Sequence, residues 1–475
     1  MIDLENDLRQ RFDDAASDVS ASPDLLDVIE HRIVAQGRRV AALRVAAVVA
    51  VLGLAVGGAV ALAPGADGDP TTRATDPSGP SASSVPVGPA GWAAMADAPI
   101  PGRFQHLAIA MDGEVLVWGG YGTDGEGGSE GEVRGGAVYE TNLGTWRTIP
   151  EAPLDFGGSS VGVWTGEVAI VVNGDGEAAE RQAAAFDPAT DTWTALADPP
   201  PGNTANAVTK AVWTGTEVVV VTGDSGTGDS IDVYDPAADT WREGATPPVP
   251  LPAFGGVVWT GDEVVVVGYD QPDGGLVEIA EDAPDSDGDG TPDALEELEE
   301  PEYGEMAVIA YDPAADSWRS IDWGLGALRN DVAVAWTGTH LFVGGGSTFG
   351  PEEGGPSPDG ALVDLATGEW TPVPEAPSPF FGDARYGSVW TGTEVQVYAE
   401  DGKTPLLFDP VAATWRQGPT QPGEAVSDVP SVWSAGRVVV PLGGHETVYE
   451  TDENGETTVG GCCDGGPAGG WTFVP

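Results

Sequence analysis

A nine-residue phrase recurs along this chain and limits what it can fold into. It reads AFDPATDTW up to Trp193, VYDPAADTW up to Trp241, AYDPAADSW up to Trp318 and LFDPVAATW up to Trp415. Related tryptophans at 146 and 370 complete a series whose usual step is about 45–52 residues. One step is stretched by an insertion. Each phrase follows an apolar run through a glycine-containing turn, as in VWTGTEVVVVTG at Trp213, VWTGDEVVVVGY at Trp259 and AWTGTHLFVGGG at Trp336. Two apolar runs about such a turn predict a hairpin, and Asp-Pro marks the turn of a second one. A four-stranded unit of this period predicts a β-propeller blade. One blade alone leaves both faces bare, whereas blades stacked about an axis bury them, with the repeated Trp between neighbours.

First hairpins at Met111, Trp164, Trp213, Trp259, Trp336, Trp390 and Trp433 predict seven blades. After Tyr449 the phrase fails, because Glu456 stands where the Trp belongs. The strand at Trp92 is expected to close the last blade and remove a free sheet edge, with Trp471 as the competing closure.

Glycine pairs follow the second strand at Gly119-Gly120, Gly344-Gly345 and Gly443-Gly444. The six-residue gap holds in Tyr139/Trp146, Phe186/Trp193, Tyr234/Trp241, Tyr311/Trp318 and Phe408/Trp415, and in Val363/Trp370 with an aliphatic first member. On these residues the chain resembles the Kelch family over 91–475, although several blades carry one glycine or none at the pair. The resemblance implies an all-β, seven-bladed Kelch-like β-propeller with the fold of the galactose-oxidase central domain. Copper radical oxidases share that fold, and their chemistry needs two His, two Tyr and a Cys joined to one Tyr. Here the only cysteines are the adjacent Cys462 and Cys463, so no copper site is carried over. Their spacing also lacks a zinc pattern. His106, His340 and His445 fall in distant repeats, and His106 is expected to be structural.

Before the repeats the character of the chain changes. Residues 1–44 read as a tail of two short helices, with Leu4, Leu8 and Phe12 in one and Leu25, Leu26, Ile29 and Ile33 in the other. Residues 45–64 form an uncharged apolar run long enough to cross a bilayer as a helix. Arg32, Arg38, Arg39 and Arg44 precede it, which places the tail in the cytoplasm and the propeller outside the cell membrane. Gly53 and Gly57 form a G-x-x-x-G through which two such helices could pair as a homodimer. The Pro, Ser and Gly of 65–90 read as a linker without a core. With 76 Asp+Glu against 19 Lys+Arg, the chain is unsuited to nucleic-acid backbones.

The insertion at 270–304, in the fourth blade, contains DSDGDGTPDALEE. Asp285, Asp287, Asp289, Thr291, Asp293 and Glu296 follow the spacing of an EF-hand-like calcium loop, with Gly290 at its sharp turn. Pro292 departs from the EF-hand habit and resembles thrombospondin type 3 repeats. A structural calcium ion is therefore expected.

Short, uniform turns on one face of the ring and long, varied loops on the other predict a binding face on the loop side. The function expected is that of a membrane-anchored module binding an extracellular protein or glycan without catalysis. The alternatives are an extracytoplasmic carbohydrate-active enzyme using loop carboxylates, and a signalling protein that reports ligand occupancy to the cytoplasmic tail.

Overall fold

The computed structural model describes residues 90–475 except 105, 124–128, 156–159, 174–180, 202–207, 224–229, 250–252, 270–305, 327, 350–354, 383–386, 423–429, 442–447, 452–456 and 462–469. The tail, the apolar run with Gly53 and Gly57, the linker up to residue 89, the calcium loop, Gly443-Gly444, His445 and both cysteines lie outside the described residues. Among the described residues no helix is long and apolar enough to cross a membrane.

Seven antiparallel sheets carry the repeats. Blade 1 is Leu107–Ala110, Glu114–Trp118, Gly136–Glu140 and Thr145–Ile149. Blade 2 is Val161–Trp164, Ala169–Val172, Ala183–Asp187 and Thr192–Ala195. Blade 3 is Val208–Trp213, Val218–Gly223, Ser230–Asp235 and Thr240–Glu243. Blade 4 is Ala253–Trp259, Val264–Tyr269, Met306–Asp312 and Ser317–Ile321. Blade 5 is Ala333–Trp336, Leu341–Gly344, Gly360–Asp364 and Glu369–Pro372. Blade 6 is Val389–Trp390, Val395–Ala399, Pro405–Asp409 and Thr414–Gln417. Blade 7 is Val432–Ser434, Arg437–Val440, Trp471–Val474 and Gly91–Ala94, so its outer strand comes from the start of the repeat region. First strands pack side by side from blade 1 to blade 7 and back to blade 1, which closes the ring.

Strand composition follows position in the ring. A second strand lies between two neighbouring blades and is buried on both faces, so Val218–Gly223 is apolar nearly throughout rather than alternating. Outer strands such as Thr240–Glu243 contain only exposed and half-buried residues. Each of the seven interblade interfaces has its own apolar cluster. Between blades 5 and 6, for example, Phe342, Phe380 and Phe408 meet with no exposed surface.

The outer-strand tryptophans differ from expectation. They are half-buried, and the fully enclosed aromatic is the register partner: Phe186, Tyr234, Tyr311, Phe408 and Phe473. The reason is the indole N–H, which needs an acceptor and finds one at the rim. All seven indoles donate to a carbonyl of the preceding blade's outer segment. Trp92 donates to Pro419 at 2.6 Å, Trp146 to Ala96 at 2.9 Å and Trp193 to Pro150 at 3.1 Å. Trp241 donates to Ala197 at 2.8 Å, Trp318 to Ala245 at 2.7 Å, Trp370 to Asp322 at 2.8 Å and Trp415 to Pro374 at 2.7 Å. The tryptophans are clips between blades, seated on the core rather than forming its centre.

Three register readings change with the structure. The glycine pair of blade 5 is Gly345-Gly346, because Gly344 is the last residue of the second strand, as Trp118 is in blade 1. Gly345 and Gly346 have φ of 66° and 76°, matching Gly119 and Gly120 at 69° and 90°. A Cβ on Gly346 would lie 2.2 Å from the Asn330 carbonyl. The slot held by Trp in six first hairpins is Ala110 in blade 1, opposite Val115, one residue before Met111. Tyr449 is not in the third strand of blade 7. It lies in a separate hairpin, Val448–Thr451 with Thr457–Gly461, and the third strand is Trp471–Val474. Phe473 pairs with Trp92 with ring centroids 4.9 Å apart, as Tyr234 and Trp241 do at 4.8 Å. Closure by the Trp92 strand is thus observed, with the Trp471 strand directly inside it.

The last Asp of the repeated phrase ties blades together. The Asp239 carboxylate accepts from the Ala197 N–H of the preceding connection at 2.8 Å and from the Tyr234 hydroxyl at 2.7 Å. Asp316 accepts likewise from Tyr311 at 2.6 Å and from Ala245 N–H at 2.8 Å. These bonds hold both carboxyls below their ordinary value of 3.8. A depressed folded pKa contributes stability above the unfolded value that is lost as pH falls through the folded one. Replacing both by Asn should therefore flatten the loss of thermal stability below about pH 4, relative to the parent. The parent is the proper reference because acid also relieves the repulsion within a chain of net charge −57. Identical acid profiles in the two proteins would contradict the assignment.

Candidate functional site

The two faces of the ring are built differently. On one face lie the turns between first and second strands and between third and fourth. Thr165, Thr214, Thr260, Thr337 and Thr391 close the first kind, each hydroxyl donating to the carbonyl three residues on at 2.8–3.0 Å. Asp187, Asp235, Asp312, Asp364 and Asp409 close the second kind, each accepting a backbone N–H two residues on at 2.8 Å. Such side-chain closure leaves little backbone free for a ligand. Arg319 adds ion pairs with Glu263, as Arg416 does with Glu394.

The opposite face carries the connections between second and third strands and between blades. Their flanking strand ends differ from blade to blade: Trp118 and Gly136, Val172 and Ala183, Tyr269 and Met306, Val440 and Trp471. The insertion with the expected calcium ligands starts after Tyr269, on this loop face, and none of those ligands is among the described residues.

Beneath the loops lie buried polar groups that the repeat pattern did not reveal. In blade 1, Arg103 donates to the Gly119 and Gly135 carbonyls at 2.8 and 2.9 Å. Burial lowers its pKa to about 10. In blade 5, Arg329 takes the same place beside the Gly345 carbonyl and forms a forked pair with Asp359 at 2.7 and 2.8 Å. The shared signal is an Arg a few residues before the first strand, readable only once the glycine pairs are aligned. His106 is buried, and its Nε2 lies 3.0 Å from the Pro441 carbonyl of blade 7. Burial, aided by Arg103, lowers its pKa to about 3, so the ring is neutral and Nε2 must carry the proton it donates. His106 joins blade 1 to blade 7.

A third group lies between blades 2 and 3. Arg181, at the head of the third strand of blade 2, pairs through Nη1 with Asp232 of blade 3. Their side chains are 4% and 2% exposed. A buried pair of this kind requires further hydrogen bonds to offset its desolvation. Nη1 also reaches the Pro200 carbonyl at 3.4 Å, and Asp232 accepts from Ser230 at 3.5 Å.

Among the described residues no three of His, Cys, Asp and Glu come together in a way that could hold a metal ion. His106 lies on the loop side, and His340 lies in a turn of the other face beside Thr339.

No family model matches the sequence, so Kelch membership is not confirmed, and no curated protein matches it. Among solved structures, the chain is similar to a fungal alcohol oxidase of the AA5 family in complex with copper, with a TM-score of 0.53 at 15% identity. The similarity covers 81% of this chain and 76% of that one. At that identity it establishes the fold alone, a seven-bladed β-propeller.

Proposed function

We propose that this chain displays its propeller outside the cytoplasmic membrane, anchored by residues 45–64, and binds a protein or glycan through the loop face without catalysis. The observation that carries this reading is the asymmetry of the ring. Turns on one face satisfy themselves, and the strand ends that lead into varied connections share the other. The point of attachment supports it. Gly91 pairs with Val474 where other blades have their third-to-fourth turn, so the linker joins at the turn face. The described residues thus begin on the turn face, opposite the loops. In this reading a calcium ion held by Asp285, Asp287, Asp289, Thr291, Asp293 and Glu296 orders the insertion beside the binding face. The fold shared with an alcohol oxidase is what favours the enzyme alternative.

The test uses the intact chain in detergent on protein and glycan arrays. Binding without turnover supports the proposal, and turnover of a sugar that is lost on changing a loop carboxylate replaces it with the enzyme. Calcium titration by calorimetry should show binding that Asp287→Ala with Glu296→Ala removes. An unchanged isotherm would reject that site.

A further inference from the structure

The seam between blades 7 and 1, where the ring closes, repeats an arrangement found between other blades with one carboxylate fewer. Between blades 3 and 4, the Tyr311 hydroxyl and the Ala245 N–H donate to Asp316, and Arg242 of blade 3 lies 3.7 Å from it. Tyr234 and Ala197 hold Asp239 in the same way. Blades 2 and 6 lack both donors. Phe186 and Phe408 stand at the tyrosine position, and Pro150 and Pro374, which have no N–H, accept from the outer tryptophan. Blade 2 then pairs its Asp191 with Arg147, and blade 6 has Ala413 in that place. Blade 1 instead keeps the donors and lacks the acid. Tyr139 packs on Trp146 with ring centroids 5.0 Å apart, and Trp146 donates to Ala96 at 2.9 Å. At the position of Asp239 and Asp316 stands Gly144. Its φ of 71° keeps the left-handed turn that those residues make at 51° and 49°.

The place is open. A Cβ on Gly144 would meet only the Tyr139 hydroxyl, at 3.8 Å. Ala96 is exposed, and its N–H has no acceptor among the described residues. The charge at this seam is also reversed. Glu114, Glu217, Glu263 and Glu394 lead into the second strands of blades 1, 3, 4 and 6, each paired with an Arg of the fourth strand. In blade 7 that position is Arg437, and the fourth strand has Ala93 after its tryptophan. Arg437 is half-buried, and its Nε has no partner. Its register partner Ser434 bonds Thr141 of blade 1 at 2.8 Å. Burial raises the Tyr139 pKa, and the nearby Arg437 charge opposes that rise. Leu143, beside Gly144, is 70% exposed.

We propose that this seam binds a carboxylate of the chain's own linker, that of Asp76, with Tyr139 and the Ala96 N–H donating to it, Arg437 supplying the counter-charge and Leu143 bordering the bound segment. Asp76 is the first acid upstream of Gly91, which lies at the turn-face end of the strand that leads to Ala96. About 50 Å of extended chain separates Asp76 from Gly91, against about 17 Å along the strand from Gly91 to Ala96, so the linker reaches the site. A site for one carboxylate binds a free acid weakly, and a tethered acid fills it because its effective concentration is in the millimolar range. The linker is thereby clipped to the side of the propeller opposite the loops. This inference is independent of what the loop face binds.

The experiment is limited trypsin digestion of the intact chain in detergent. Arg73 is the one Lys or Arg between residues 65 and 90, and the fragment beginning at Ala74 is followed by mass spectrometry. Asp76→Asn, Arg437→Gln and Gly144→Asp should each speed this cut by about tenfold over the parent. Gly144→Asp separates linker release from loss of structure. It places a carboxylate where Asp239 and Asp316 hold theirs, so it should free the linker while melting no lower than the parent. Equal cleavage in the parent and all three variants would overturn the proposal. So would protection that persists in Asp76→Asn. Fast cleavage of the parent, together with calorimetric binding of acetyl-Asp-Leu-amide that Gly144→Asp removes, would give the site to a partner's acidic peptide and overturn the linker as its occupant.

Discussion

Phe408→Ala is expected to lower the stability of the propeller by about 3–5 kcal/mol, the range for truncating an enclosed aromatic ring. Phe408 has no exposed surface, and it packs with Phe342 at 5.4 Å and Trp415 at 5.0 Å between ring centroids. Its loss leaves a cavity at the interface of blades 5 and 6 that rigid strands on both sides cannot close. Trp415→Phe separates core from clip. It keeps an aromatic surface against Phe408 and removes the N–H that reaches the Pro374 carbonyl at 2.7 Å. About 1 kcal/mol is expected for that bond, well below the Phe408 effect. Denaturant unfolding of the two variants gives the order directly. If Trp415→Phe proves the more damaging, the indoles are the centre of the core after all.

Asp232→Ala is expected to cost about 3–5 kcal/mol for a different reason: it leaves the Arg181 cation buried without a counter-charge. The Arg181 side chain is 4% exposed, so water cannot replace the lost carboxylate without opening the slot. Adding Arg181→Met to that variant should recover much of the loss, since two apolar side chains no longer need hydrogen bonds. By contrast, Glu394→Gln breaks a pair whose Arg416 is 45% exposed and should cost less than about 1 kcal/mol. A double variant no more stable than Asp232→Ala alone would show that the slot does not depend on its charge balance.

How much of this was legible beforehand follows from the range of each interaction. The period of the phrase ending at Trp193, Trp241, Trp318 and Trp415 requires a four-stranded unit repeated around an axis, because strand alternation and turn chemistry are local properties. The sequence by itself therefore determined the blade, the number of blades and the division into a turn face and a loop face. The strand that closes the ring was legible as well, because GWAAMADAPIPG copies the layout of an outer strand and its exit. The inward partner of that strand was not legible. Tyr449 has the expected residue type, yet Phe473 takes the position, since a hairpin inserted between second and third strands leaves no mark on residue type. The role of the tryptophans also depended on packing, because an indole needs an acceptor that only a neighbouring blade supplies. The same holds for the loop-face groups. Arg181 and Asp232 are 51 residues apart, and His106 and Pro441 are 335 apart. No local pattern joins such residues. Only closure of the ring brings them within hydrogen-bond distance, and only burial makes an unpartnered guanidinium edge costly.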